Sequence, residues 1–134
     1  MEQNYPRGQI LKESLEQGAR LMVRWTQDGT LITPQQLSKA WGQDLQTLEA
    51  ALERGDVFAL WIEEALYFPE VFTTLGSDTT ARICQALGDQ AASSKLMFFR
   101  RKHGGIGGQT VLQALASGTP IDRIEELAIA DTLD

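Results

Sequence analysis

The stretch Leu31 to Pro69, LITPQQLSKAWGQDLQTLEAALERGDVFALWIEEALYFP, decides the fold. Thr33 stands where a helix N-cap is needed, with Pro34 as the first helical residue, a position where a missing N–H removes no bond. Gln36 follows at the spacing of a capping box. Leu37, Ala40 and Trp41 then share one helical face, and Gly42 offers the positive φ of a sharp turn. Asp44 can cap a second helix that carries Leu45, Leu48, Ala51 and Leu52 inward and stops at Gly55, just after Arg54. Beyond it, Val57 to Trp61 and Ala65 to Phe68 are apolar or aromatic runs split by Glu63 and Glu64, so they read as a small hairpin ended by Pro69.

Ser38, Gly42 and Leu48 fall at the spacing at which two helices of a helix-turn-helix pack closely. The stretch resembles the winged-helix modules of excisionase and MerR-type regulators, in which a helix, a tight turn, a second helix ending in Arg-Gly and a short strand pair recur. That resemblance implies a DNA-contacting second helix, with Gln46 and Thr47 placed to reach base edges. The charge points the other way. Between Gly29 and Gly76, Lys39 and Arg54 stand against Asp44, Glu49, Glu53, Asp56, Glu63, Glu64 and Glu70, a local net of −5. Base contacts work only once phosphate contacts have placed a protein on the duplex, and an acidic lobe repels phosphate. Two uses of the scaffold therefore stay open: a DNA reader assisted by cations from elsewhere, or a protein-docking face on which Glu49, Glu53 and Glu63 meet a basic partner.

The whole chain sets outer bounds. Its 134 residues, 43% of them hydrophobic, suffice for a core without staples. A single cysteine, Cys84, excludes a disulfide within one chain, and its apolar surroundings read as a buried structural thiol. No stretch approaches a membrane span and the N-terminus has no apolar leader, so the expectation is a cytoplasmic protein with no membrane partner. A net charge of −6 argues against a general nucleic-acid coat.

Three segments follow from periodicity: 1–28, 29–76 and 77–134. In the first, Leu11, Leu15, Gly18, Met22 and Trp25 recur at alternating spacings of four and three, widened by Ile10 and Leu21, and predict one amphipathic helix from Gln9 to about Asp28. Its stripe is too short for an isolated coiled coil, so it packs on the rest of the chain or on a second copy in a homodimer. The last segment reads as entirely helical. Asp78 to Leu87 buries Ala81, Ile83, Cys84 and Leu87 and ends at Gly88. Ser93 or Ser94 caps a helix with Leu96, Met97, Phe98 and Phe99 that runs toward Lys102. After HGGIGG, a short helix spans Thr110 to Ala116 and stops at Gly118. Thr119-Pro120-Ile121-Asp122 then opens a final helix striped by Ile121, Ile124, Leu127 and Ala128. The fold class expected is mainly α with a small β-hairpin wing: a winged helix-turn-helix lobe plus a C-terminal helical lobe.

The segment KLMFFRRKHGGIGGQTVLQALASGTPIDRIEELA is similar to the C-terminal toxin-binding domain of Xre/MbcA/ParS-type antitoxins. Phe98 and Phe99 match the leading helix, Gly107, Gly108 and Thr110 the turn, Leu112 and Leu115 the short helix, and Gly118, Ile124 and Leu127 the closing part. The likeness implies a small bacterial regulatory protein whose C-terminal half meets a toxin-like protein partner, with Phe98, Phe99, Leu112 and Leu115 as contacts.

Lys95, Arg100, Arg101, Lys102 and His103 form a basic cluster, since no acid falls between Asp89 and Asp122. Near a helix C-terminus such cations complement the macrodipole without any ligand; they are also the candidates for phosphate contact, joined by Arg20 and Arg24 on the first helix. HGGIGGQT fails as a Walker A, because His103 stands where glycine is needed and Gln109 where lysine is needed. A backbone nest at Gly104 to Gly108 could still hold an anion, although a tight interhelical turn explains the same glycines. One histidine and one cysteine cannot build a dedicated zinc site, and no nucleophile is tied to His103 by spacing. The reading is non-enzymatic, without cofactor or metal: a DNA-binding regulator or antitoxin-like module with a C-terminal partner site, or alternatively an acidic interaction adaptor that does not bind DNA.

Overall fold

The computed structural model describes the backbone of residues 7–133 and the side chains of residues 16–133. Helix α1 runs from Arg7 to Gln27, close to the range its periodicity predicts; the stripe residues Ile10, Leu11 and Leu15 lie outside the described side chains. Of the rest of that stripe, Trp25 is buried, Met22 is half-buried and Leu21 is exposed.

The decisive stretch folds as its caps dictate. Helix α2, Pro34–Trp41, starts with a reciprocal box: Gln36 N–H donates to Thr33 Oγ1 at 3.1 Å and Thr33 N–H donates to Gln36 Oε1 at 2.8 Å. Gly42 sits at φ 67° and turns the chain, and the Ser38 hydroxyl donates to the Gln43 carbonyl across that turn. Helix α3, Leu45–Arg54, opens at Asp44 and closes on Gly55 at φ 84°. Strands β2, Leu60–Ile62, and β3, Ala65–Pro69, pair antiparallel with Trp61 opposite Leu66. Glu63 and Glu64 make the two-residue connection at φ 50° and 65°, the left-handed backbone that a tight hairpin turn demands at both positions.

Two elements were not legible in the pattern. Leu31–Ile32 forms strand β1, which pairs with β3 (Leu31 opposite Pro69, Ile32 opposite Phe68) and gives a three-stranded sheet of order β1-β3-β2. Val71–Leu75 forms helix α4. A two-residue strand and a five-residue helix are both too short to show a period. Register divides the sheet into two faces. Leu31, Leu60 and Ile62 are buried on the α1 side, whereas Ile32, Phe68, Leu66 and Trp61 face α2 and α3.

The remaining helices are α5, Ser77–Leu87; α6, Ala92–Arg100; α7, Val111–Ala116; and α8, Ile121–Thr132. Helix α6 begins after Ala91, so Ser93 and Ser94 lie inside its first turn and cap nothing, and it ends at Arg100, short of Lys102. Thr110 and Gln113 build a second reciprocal capping box at α7. Thr119 makes no cap, since α8 opens after Pro120 without a side-chain bond. Besides Leu21, three residues expected to face inward do not: Ala40, Leu45 and Met97 are exposed. Ala40 and Leu45 sit at the margins of their helix stripes, where a small change in helix rotation decides burial, whereas Met97 lies on the face of α6 opposite Leu96, Phe98 and Phe99.

The buried side chains form one cluster, from Trp25 through Leu37, Phe58, Phe68, Phe72, Ile83, Leu96 and Phe99 to Ala128. Phe72, from the unforeseen α4, is its junction. Its ring meets Phe58 edge-on at 5.2 Å, Phe99 edge-on at 5.8 Å and Trp41 stacked at 6.4 Å, and its carbonyl accepts the Trp41 indole N–H at 2.9 Å. Helices α5 and α8 pack along their length, and Arg82 reaches across them to Asp122 at 2.7 Å and Glu125 at 2.5 Å.

Phe72→Ala should lower unfolding free energy by about 3–5 kcal/mol through the cavity it leaves, against about 1 kcal/mol for Thr33→Ala through loss of the cap. Urea denaturation of the two variants checks the ranking; comparable losses would contradict the placement of Phe72 at the junction.

Candidate interaction surface

The exposed side of α3 begins at a well-satisfied N-terminus. The Asp44 carboxylate accepts the Thr47 N–H at 2.8 Å and the Thr47 hydroxyl at 2.7 Å, and these bonds hold its pKa below the ordinary carboxylate value. Thr47 is therefore engaged in the cap, whereas Gln46 stands exposed with no bond to the protein. Glu49 and Glu53 are exposed one turn apart on the same helix, and Glu63 and Glu64 are exposed at the hairpin tip.

Alongside Glu49 lies an apolar cleft of about 210 Å³, lined by Leu45, Leu48 and Leu52 of α3, Leu66 and Phe68 of β3, and the start of α2 at Pro34 and Gln35. Leu45 is 43% exposed at one end. Trp61 is 71% exposed and stands directly opposite Leu66, so both project from the same face of the sheet. An indole left in water on the same sheet face as the cleft-lining Leu66 is a conspicuous feature of the surface. Period-two alternation could have found it, because Leu60 and Ile62 are buried on either side of it.

The basic cluster does not assemble into a patch. Arg100 donates to Thr30 Oγ1 at 2.9 Å and lies 5.7 Å from the centre of the Trp25 ring. Arg101 pairs with Asp131 of α8. Lys95 is half-buried, with its ammonium 5.8 Å from the centre of the Phe58 ring. His103 is 7% exposed; its Nε2–H donates to the Phe98 carbonyl at 2.7 Å, so it is a core residue and not a surface cation. Lys102 alone of the five is exposed without a partner among the described residues. In the helix-turn-helix lobe Arg54 is tied to Asp56 at 3.0 Å, and on α1 Arg20 lies 3.9 Å from Glu16.

Phe98 and Phe99, expected as partner contacts, are 1% and 3% exposed and belong to the core. Leu112 and Leu115 are half-buried, and Leu112 lines a shallow depression of about 250 Å³ with Phe99, Arg100, Thr30 and Glu70. Arg100 and Glu70 bring opposite charges to that depression, which therefore favours neither sign of ligand. The glycine loop is a structural turn. Gly104–Ile106 form one turn of 3₁₀ helix, and the N–H groups of Ile106, Gly107 and Gly108 donate to the carbonyls of His103 and Gly104, so they are not free to cradle an anion. A Cβ on Gly105 would come within 3.2 Å of Arg123 and Leu127, so glycine there lets α8 approach.

Cys84 is buried, and burial pushes its pKa up to about 12. Among the described residues no group of three histidines, cysteines or carboxylates lies close enough to hold a metal ion, and no helix is long and apolar enough to cross a membrane. Compared with known proteins, the chain matches no family model, no curated protein and no solved structure.

A buried thiol held protonated is a poor nucleophile. Cys84 should react with Ellman's reagent at about pH 8 more slowly in the native protein than in denaturant by roughly a hundredfold or more. Equal rates would mean that the thiol is accessible and reactive.

Proposed function

We propose that this chain is a non-catalytic interaction module of the bacterial cytoplasm, in which the helix-turn-helix and its wing serve as a protein-docking face for a basic partner. One observation carries the reading: the surface that a DNA reader would present, the outer side of α3 and the wing, combines an apolar cleft edged by Glu49 with the exposed side chains of Glu53 on α3 and of Trp61, Glu63 and Glu64 on the wing. Acids at the border repel a phosphate backbone and attract lysine and arginine, while the cleft and the indole provide the apolar area from which protein interfaces draw affinity. Four members of the basic cluster are held by Thr30, Asp131, Phe58 and Phe98, which leaves Lys102 as its one side chain without a partner among the described residues. The reading as a non-enzyme is supported by the state of the reactive groups: the one histidine donates to a backbone carbonyl inside the core, and the one thiol is buried and protonated.

A second reading, a DNA-binding regulator with a C-terminal partner site, is favoured by the position of Gln46. It lies exposed in the first turn of α3, the part of a recognition helix that enters the major groove. It lacks nearby phosphate contacts, since Lys39 is the lobe's one cation without an acidic partner among the described residues.

The two readings separate in a titration of labelled random duplex followed by fluorescence anisotropy at about 50 and 200 mM salt. Docking predicts no binding at either concentration. Binding that weakens steeply with salt would overturn the docking reading and restore the regulator.

A further inference from the structure

The cleft has a shape as well as a charge. Leu45, Leu48 and Leu52 follow one another along α3 at helical spacing, and from first to last they span about 10 Å, two turns of a helix laid alongside. Glu49 and Glu53 run parallel to them, also one turn apart. Leu45 is exposed, Leu52 half-buried and Leu48 buried as the floor between them, and a helical ligand with apolar residues at i, i+4 and i+7 matches the spacing of this row. An extended ligand would need a strand edge. The edges here are β1 and β2, two and three residues long, and each offers only a short ladder. A second copy of the chain is disfavoured, because two such faces would bring their glutamates together.

We propose that the cleft takes a basic amphipathic helix of a partner protein, with aliphatic side chains seated between α3 and β3 and lysine or arginine flanking them. Trp61 closes the wing side. It projects from the same sheet face as Leu66, which lines the cleft, and there its ring can cover an aliphatic residue with one part of its surface and receive a cation on its π face. The four glutamates act at two distances: Glu49 and Glu53 pair along the helix, while Glu63 and Glu64 meet its end at the wing tip. This assignment rests on the docking reading and adds the conformation and composition of what docks.

The probe is a labelled 14-residue Leu/Lys helical peptide with leucine at the stated spacing, titrated into the full chain. Two companions share its design: one with a central proline that breaks the helix, one with glutamine for every lysine. The helical lysine peptide should bind, more weakly at high salt, and the glutamine peptide should bind on the order of tenfold or more weaker. Trp61→Ala and the double variant Glu49→Lys/Glu53→Lys should each weaken binding by on the order of tenfold or more. All three positions are exposed, so the circular dichroism of these variants should match the parent. Equal binding of the proline-broken peptide through the same residues would overturn the helix and leave the docking reading standing. Binding indifferent to Trp61 and to the glutamates would place the peptide elsewhere and overturn the site. Absence of binding by every peptide would also overturn the helix, and the duplex titration would then decide separately whether the docking reading survives.

Discussion

The buried ring of Phe72 is the contact on which the architecture turns. It touches Trp41 at the end of α2, Phe58 in the connection from α3 to β2, and Phe99 on α6, while its own carbonyl accepts the Trp41 indole. These neighbours come from both sides of the chain's midpoint. The rings thus join α2, the connection into the sheet and α6 at one point of the core. Aromatic pairs in edge-on contact are worth more than their buried area and prefer a fixed geometry. The helix-turn-helix is thus not a free-standing reader with an appended tail; its inner side is completed by the C-terminal helices.

Charge is distributed by the same logic. Three arginines bridge distant elements: Arg82 links α5 to α8, Arg101 links the end of α6 to α8, and Arg100 reaches back to the turn after α1. Exposed ion pairs of this kind contribute little to stability, typically under about 1 kcal/mol each. Their greater effect is on what the surface offers: a guanidinium already facing a carboxylate or a hydroxyl is a weak ligand for anything else. Acids are left to dominate the exterior of the helix-turn-helix lobe, and sign more than shape separates this face from a nucleic-acid surface.

The helix boundaries were legible where side chains bond locally to backbone. Thr33, Gln36, Asp44, Gly42 and Gly55 act within a few residues of themselves, and each does what its type and spacing dictate. The hairpin was legible for a similar reason. What local sequence does not encode depends on long-range packing. β1 exists because β3 lies beside it, α4 because Phe72 must reach the core, and the burial of Phe98, Phe99 and His103 depends on where α6 docks. The basic run from Lys95 to His103 is continuous in sequence and scattered in space, because the chain leaves the helix after Arg100 and each side chain finds a different neighbour. The candidate site was half legible: Glu49, Glu53 and Glu63 follow from charge alone, whereas Trp61 and the outward tilt of Leu45 needed the register of the sheet and the rotation of α3.

The hairpin turn carries a tension between ease of folding and the identity of its tip. Glu63 and Glu64 both occupy left-handed backbone, which costs a residue with a Cβ about 1 kcal/mol or more and which glycine or asparagine would adopt more easily. An asparagine-glycine pair would close the same turn more readily and erase two negative charges. A lineage shaped by stability alone would drift toward that pair, while one that needs charge at the tip would retain the strained glutamates. The turn thus makes the wing a gauge of selection: the residues that related chains carry at these two positions would tell which pressure has acted.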